Sequence, residues 1–121
     1  MLTIHIENIG DMAVIECEGR IVRSEAAFKL REAVISQSDE RIIMLDLSEV
    51  SAVEGGGLGM LMFLHRWARD HDIRLTLFNP RQSVRDRLEQ ADSIREFDIV
   101  PLDEMMALLA RSGGNGYARV A

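Results

Sequence analysis

The sequence predicts an α/β fold: a small mixed β-sheet of four to five strands, an opening antiparallel hairpin and then parallel strands, flanked by about four helices. Three observations carry that expectation. Ile42-Ile43-Met44-Leu45-Asp46-Leu47 is an almost unbroken apolar run with a β-branched start, the mark of a strand buried on both faces. A short polar stretch then leads into Gly55-Gly56-Gly57, and Leu58 to Asp70 continues without a breaker, as a helix does. Elsewhere, short segments of period two alternate with segments of helical period, the pattern of strands joined by helical crossovers.

Each element has its own reason. Leu2, Ile4 and Ile6 alternate with Thr3, His5 and Glu7, giving a strand with one buried face. Asn8-Ile9-Gly10-Asp11 has turn chemistry, so Met12 to Glu18 returns as the second strand of a hairpin. After a connection over 19–23, Ser24 is placed to cap a helix, with Glu25 in its first turn. Ala27, Leu30 and Val34 recur at helical spacing, carrying that helix to about Ser38, where Asp39-Glu40 break it. Arg41 to Leu47 is the central strand. Beyond the glycine-led helix and a polar Asp70-His71-Asp72 connection, Ile73, Leu75 and Leu77 mark another strand, ended by Asn79-Pro80. Arg81 to Ala91 is a short amphipathic helix with Val84, Leu88 and Ala91 on one stripe. Glu96 to Ile99 fits a short edge strand. Pro101 suits a first helical position, and Leu102 to Arg111 forms the last helix, buried through Leu102, Met105, Met106 and Leu109. We expect one domain over residues 2–111 and a flexible tail over 112–121, where the composition buries too little to order itself.

Size and charge narrow the function. The chain has 121 residues, enough for one core, and a net charge of -6, which argues against sequence-independent nucleic-acid binding. The single cysteine, Cys17, forbids an intrachain disulfide and suits a reducing compartment. Met1-Leu2-Thr3-Ile4-His5 lacks the basic-then-apolar layout of a signal peptide, and no apolar run approaches the ~20 residues that insertion into a bilayer needs. A cytoplasmic location is expected.

Gly19, the run Met44-Leu45-Asp46-Leu47-Ser48-Glu49-Val50 and Gly57-Leu58-Gly59 resemble the STAS domain. That domain occurs in anti-sigma factor antagonists and in the cytoplasmic tails of sulphate transporters. The matching element order runs from about residue 2 to 111. Antagonist-type members carry Asp-Ser-Ser-Gly-Leu-Gly at the turn. A serine there is phosphorylated by an anti-sigma kinase, which binds the unphosphorylated form. Aligned without gaps, Glu54 stands at the aspartate, and Gly55 and Gly56 stand at the position of the family phosphoserine. Both hydroxyls are missing. Glu54 falls on the aspartate position and so does not mimic the phosphate. Val22 stands about where many members have an acidic residue near the phosphosite. The resemblance thus implies a protein-interaction module in bacterial partner switching, acting in transcription regulation without catalysis. Its partner would be an anti-sigma factor or related kinase-like regulator.

The glycine run itself fails both common phosphate signatures. Met60 stands where a dinucleotide turn needs its third glycine, and no Gly-Lys-Ser/Thr follows for a P-loop. Bare amides at a helix start could still cradle an anion, with Glu54 opposing it. On the helix, Leu58, Leu61, Leu64, His65 and Ala68 fall on one side, and Met60, Phe63 and Trp67 on the other. A helix apolar all round is buried all round or meets a partner. Glu54, Gly55, Gly56, Gly57, Met60, Phe63 and Trp67 therefore form the candidate partner-binding surface, with cover by a neighbouring helix as the other reading. No catalytic constellation, cofactor motif or metal-ligand spacing is present: His5, His65 and His71 are not spaced as ligands, and Cys17 has no matched base. Arg81, Arg85 and Arg87 read as a solvated face balanced by Asp86 and Glu89. Ser24 and Ser51 are the nearest hydroxyls to the turn by chain position. Two other roles stay open, an accessory subunit of an ABC-type membrane transporter and a small-anion or nucleotide sensor, as does a homodimer.

Overall fold

The computed structural model describes residues 1–22, 24–90 and 97–113. The elements run β1 (Leu2–Ile9), β2 (Met12–Ile21), α1 (Ser24–Ile35), β3 (Ile42–Val53), α2 (Gly56–Asp70), β4 (Arg74–Phe78), α3 (Gln82–Gln90), β5 (Asp98–Val100) and α4 (Leu102–Gly113). The five strands form one sheet in the order β1-β2-β3-β4-β5. β1 and β2 are antiparallel, and every later pairing is parallel. The expected mixed sheet with its opening hairpin is what forms.

The central strand is longer than its apolar run. Pairing between β2 and β3 continues to Ile21 and Val53, across two register shifts, one between Glu16 and Glu18 and one between Gly19 and Arg20. Each shift inserts extra β3 residues opposite the same stretch of β2, so the ladder absorbs Ser48 and Ser51 as bulges. Val50 and Val53 are fully buried beyond them, which holds this polar-looking stretch in the sheet.

The sheet has two unequal cores. On one face, Ile15, Ile43, Leu45, Leu47, Leu75 and Leu77 pack against Leu30 and Val34 of α1, Leu61 and Leu64 of α2, and Val84 and Leu88 of α3. On the other, Met12, Met44 and Val100 pack against Leu108 and Leu109 of α4. That last helix corrects its sequence reading. Leu102 and Met106 are exposed, 61% and 45%, and Leu108 is buried with Leu109 instead. The expected cap from the Ser24 side chain, the helix and strand ends at Ala91 and Glu96, and the tail from residue 114 onward lie outside the described residues. Residues 112 and 113 belong to α4 rather than to a tail. No helix among the described residues is long and apolar enough to cross a membrane.

Candidate functional site

The glycine corner is built from the end of β2 and the start of α2. Glu54 N–H donates to the Ile21 carbonyl at 3.2 Å, and Gly57 N–H to the Glu54 carbonyl at 3.0 Å. The glycines then divide by role. Gly55 has φ +53, a left-handed conformation that favours glycine. Gly57 is buried, and a Cβ there would overlap the Ile21 carbonyl, so it seats the helix on the strand. Gly56 and Gly59 have nothing within 4 Å of an added Cβ. Of the two positions aligned with the family serine, only Gly56 would take a side chain without backbone strain. Gly55 is the N-cap and supplies no side-chain cap, so the exposed corner presents main-chain groups. Glu54 stands beside it, with its carboxylate 3.6 Å from Arg87 of α3 and both side chains about half exposed. A pair so open to solvent contributes well under 1 kcal/mol.

The far side of α2 is divided. Phe63 is 44% exposed. Met60 and Trp67 are half-buried and lean on the larger core. Trp67 also stacks on His71, ring centroids 4.7 Å apart. Gly57 faces inward, behind the other candidate residues. Sequence reasoning missed one neighbour: Phe28 of α1, 59% exposed. The Arg31 guanidinium lies 5.8 Å from the Phe28 ring centroid and 5.9 Å from that of Phe63, so one cation joins both rings across the two helices. The available signal was a phenylalanine one residue off the Ala27-Leu30-Val34 stripe.

The remaining candidates have local roles. Asp46 accepts from the Ser48 amide at 3.0 Å and the Ser48 hydroxyl at 2.6 Å, satisfying the chain where β3 first bulges. Arg81, Arg85 and Arg87 pair with Glu49, Glu89 and Glu54. Ser51 is exposed and donates to the Gly19 carbonyl at 3.3 Å. Cys17 is buried, and burial followed by the Asp46 charge pushes its thiol from 9.0 up to about 12. At neutral pH it holds its proton and is no nucleophile. No group of three or more His, Cys, Asp or Glu among the described residues could hold a metal ion. A shallow concavity of about 600 Å³, lined by Phe78, Pro80, Arg85, Ile99 and Leu102, opens at the ends of β4 and β5 and not at the glycine corner.

The family model for the STAS domain matches residues 3–104. No curated protein matches the sequence. Among solved structures, the chain is similar to an anti-sigma factor antagonist from Mycobacterium paratuberculosis, with TM-score 0.75 and 18% identity over 90% of this chain and 94% of that one. It is similar to the anti-sigma factor antagonist SpoIIAA in its unphosphorylated form, with TM-score 0.71 and 17% identity over 86% and 93%. It also resembles part of the murine anion transporter Slc26a9, with TM-score 0.71 and 16% identity over 87% of this chain but 18% of the transporter.

Proposed function

The chain belongs to the STAS domain family, and from that premise we propose that it is a non-catalytic, cytoplasmic protein-interaction module of the anti-sigma factor antagonist kind. Its partner is an anti-sigma factor or related kinase-like regulator. The contact is the corner at Glu54, Gly55 and Gly56 together with Met60, Phe63 and Trp67 on α2. Gly57 contributes by seating the helix. The observation that carries this reading is the open corner itself. Gly56 faces free space at the start of α2, and the exposed Phe63 ring follows two turns along the same helix. An exposed aromatic beside uncovered main chain is the composition of an interface core. Because neither Gly55 nor Gly56 carries a hydroxyl, phosphorylation at that turn does not release the partner. A role on a membrane transporter draws less support, since the Slc26a9 likeness spans only 18% of that chain.

The test is partner capture from the native cell, repeated with Phe63→Ser. Recovery of an anti-sigma factor or kinase-like regulator with wild type, reduced at least tenfold in the variant at unchanged circular dichroism, is expected. Equal recovery with the variant would refute the surface.

A further inference from the structure

Among the described residues the sheet ends in two edge strands, β1 and β5, and they differ. β5 has three residues. β1 has eight, paired to β2 in one uninterrupted register with no bulge. It contains neither proline nor lysine, two residues that commonly blunt an edge. Its main-chain directions can be read from two hydrogen bonds. The Met1 carbonyl accepts from Arg20 N–H at 3.2 Å, so odd-numbered residues of this strand turn their polar groups toward β2. Even-numbered residues turn theirs outward, and the Leu2 carbonyl does so, accepting from Lys29 Nζ at 2.7 Å. Among the described residues nothing pairs with the outward N–H and C=O groups of Ile4, Ile6 and Asn8.

We propose that this edge binds a second copy of the chain, β1 against β1 and antiparallel, with the twofold axis through Ile6. An isologous contact must be self-complementary, and this register is. It sets Ile6 opposite Ile6 of the other copy, and Ile4 opposite Asn8, each pair exchanging its two main-chain bonds. It excludes Leu2, whose carbonyl Lys29 already occupies. Sliding by two residues to put the axis at His5 would demand Leu2 and set the two His5 side chains face to face. With the axis at Ile6, His5 faces Glu7 of the other copy, twice, in the close non-hydrogen-bonded positions about 4.5 Å apart at Cα. Both side chains are exposed on the outer sheet face, free to form the pair. The two five-stranded sheets then join edge to edge.

Sedimentation equilibrium of the full chain over a wide concentration range tests this. We expect a reversible dimer. His5→Glu, which sets like charges opposite each other at two symmetric places, should raise its Kd about tenfold. Adding Glu7→His to make H5E/E7H should restore it, because the pair is only exchanged. His5→Cys and Glu7→Cys proteins, oxidised separately and as a mixture, read the register directly: a disulfide should form only in the mixture. A monomer at every concentration, H5E dimerising as tightly as wild type, or H5C cross-linking alone would each overturn the proposal.

Discussion

Alanine substitution at each glycine of the corner separates residues the fold needs from residues it tolerates. At Gly59, inside α2 with open space around it, Ala gains the helix propensity that Gly lacks, about 1 kcal/mol. For 121 residues the unfolding entropy is about 0.25 kcal/mol per degree, so Gly59→Ala should raise Tm by about 4 °C. Gly57 is the opposite case. Its Cβ would overlap the Ile21 carbonyl, so the helix start must move off β2. Overpacking of this kind costs about 1–3 kcal/mol, and losing the Glu54–Ile21 hydrogen bond adds about 1. Less the propensity gain, Gly57→Ala should lose about 2 kcal/mol, or about 8 °C. Gly55→Ala is strained through the backbone instead, since φ +53 with ψ -121 lies outside the left-handed helical well that other residues reach, and should lose about 1–3 kcal/mol. Thermal and urea unfolding followed by circular dichroism would measure the series. Gly57→Ala within about 0.5 kcal/mol of wild type, or Gly59→Ala less stable than wild type, would show that the seating of α2 on β2 is misread.

Gly56→Ser should fold normally and gain one phosphate when incubated with the partner kinase and ATP, with weaker binding afterwards; intact-mass analysis reads it, and a variant that binds the kinase yet stays unmodified would contradict the corner as the contact. Thr76 is fully buried, and its hydroxyl has no partner among the described residues. Thr76→Val removes that unpaired oxygen and should stabilise by about 1 kcal/mol in urea unfolding; a loss instead would mean the hydroxyl is bonded. Cys17 gives a pH signature. Its folded pKa of about 12 exceeds the ordinary 9.0, so its contribution is complete below pH 9 and lost as pH rises toward 12. Over that window the stability gap between wild type and Cys17→Ala should narrow by up to about 1.4 kcal/mol per pH unit; a constant gap would refute the burial argument.

Strand and helix order was legible because period two and helical period are written plainly into residues such as Leu2-Ile4-Ile6 and Val84-Leu88. The turn into α2 was legible because a glycine run marks it, Gly55 for its positive φ and Gly57 for the space a Cβ would need. The bulged half of β3 was not, since Ser48, Glu49 and Ser51 look like loop until β2 supplies the partner ladder. The buried side of α4 was also misread: Leu102, Met106, Leu108 and Leu109 are all apolar, and only the docking against Met12 and Met44 selects Leu108 and Leu109 among them. The Phe28–Arg31–Phe63 cluster needed tertiary contact, because α1 and α2 meet only in the folded chain.

The unequal cores bear on where the protein opens first. Everything in the larger core, from Leu2 to Phe97, precedes α4 in the chain. Undocking of that last helix would bare Met12 and Met44 to water while the larger core stays closed, so hydrogen exchange should reach that side of the sheet at a lower cost than global unfolding.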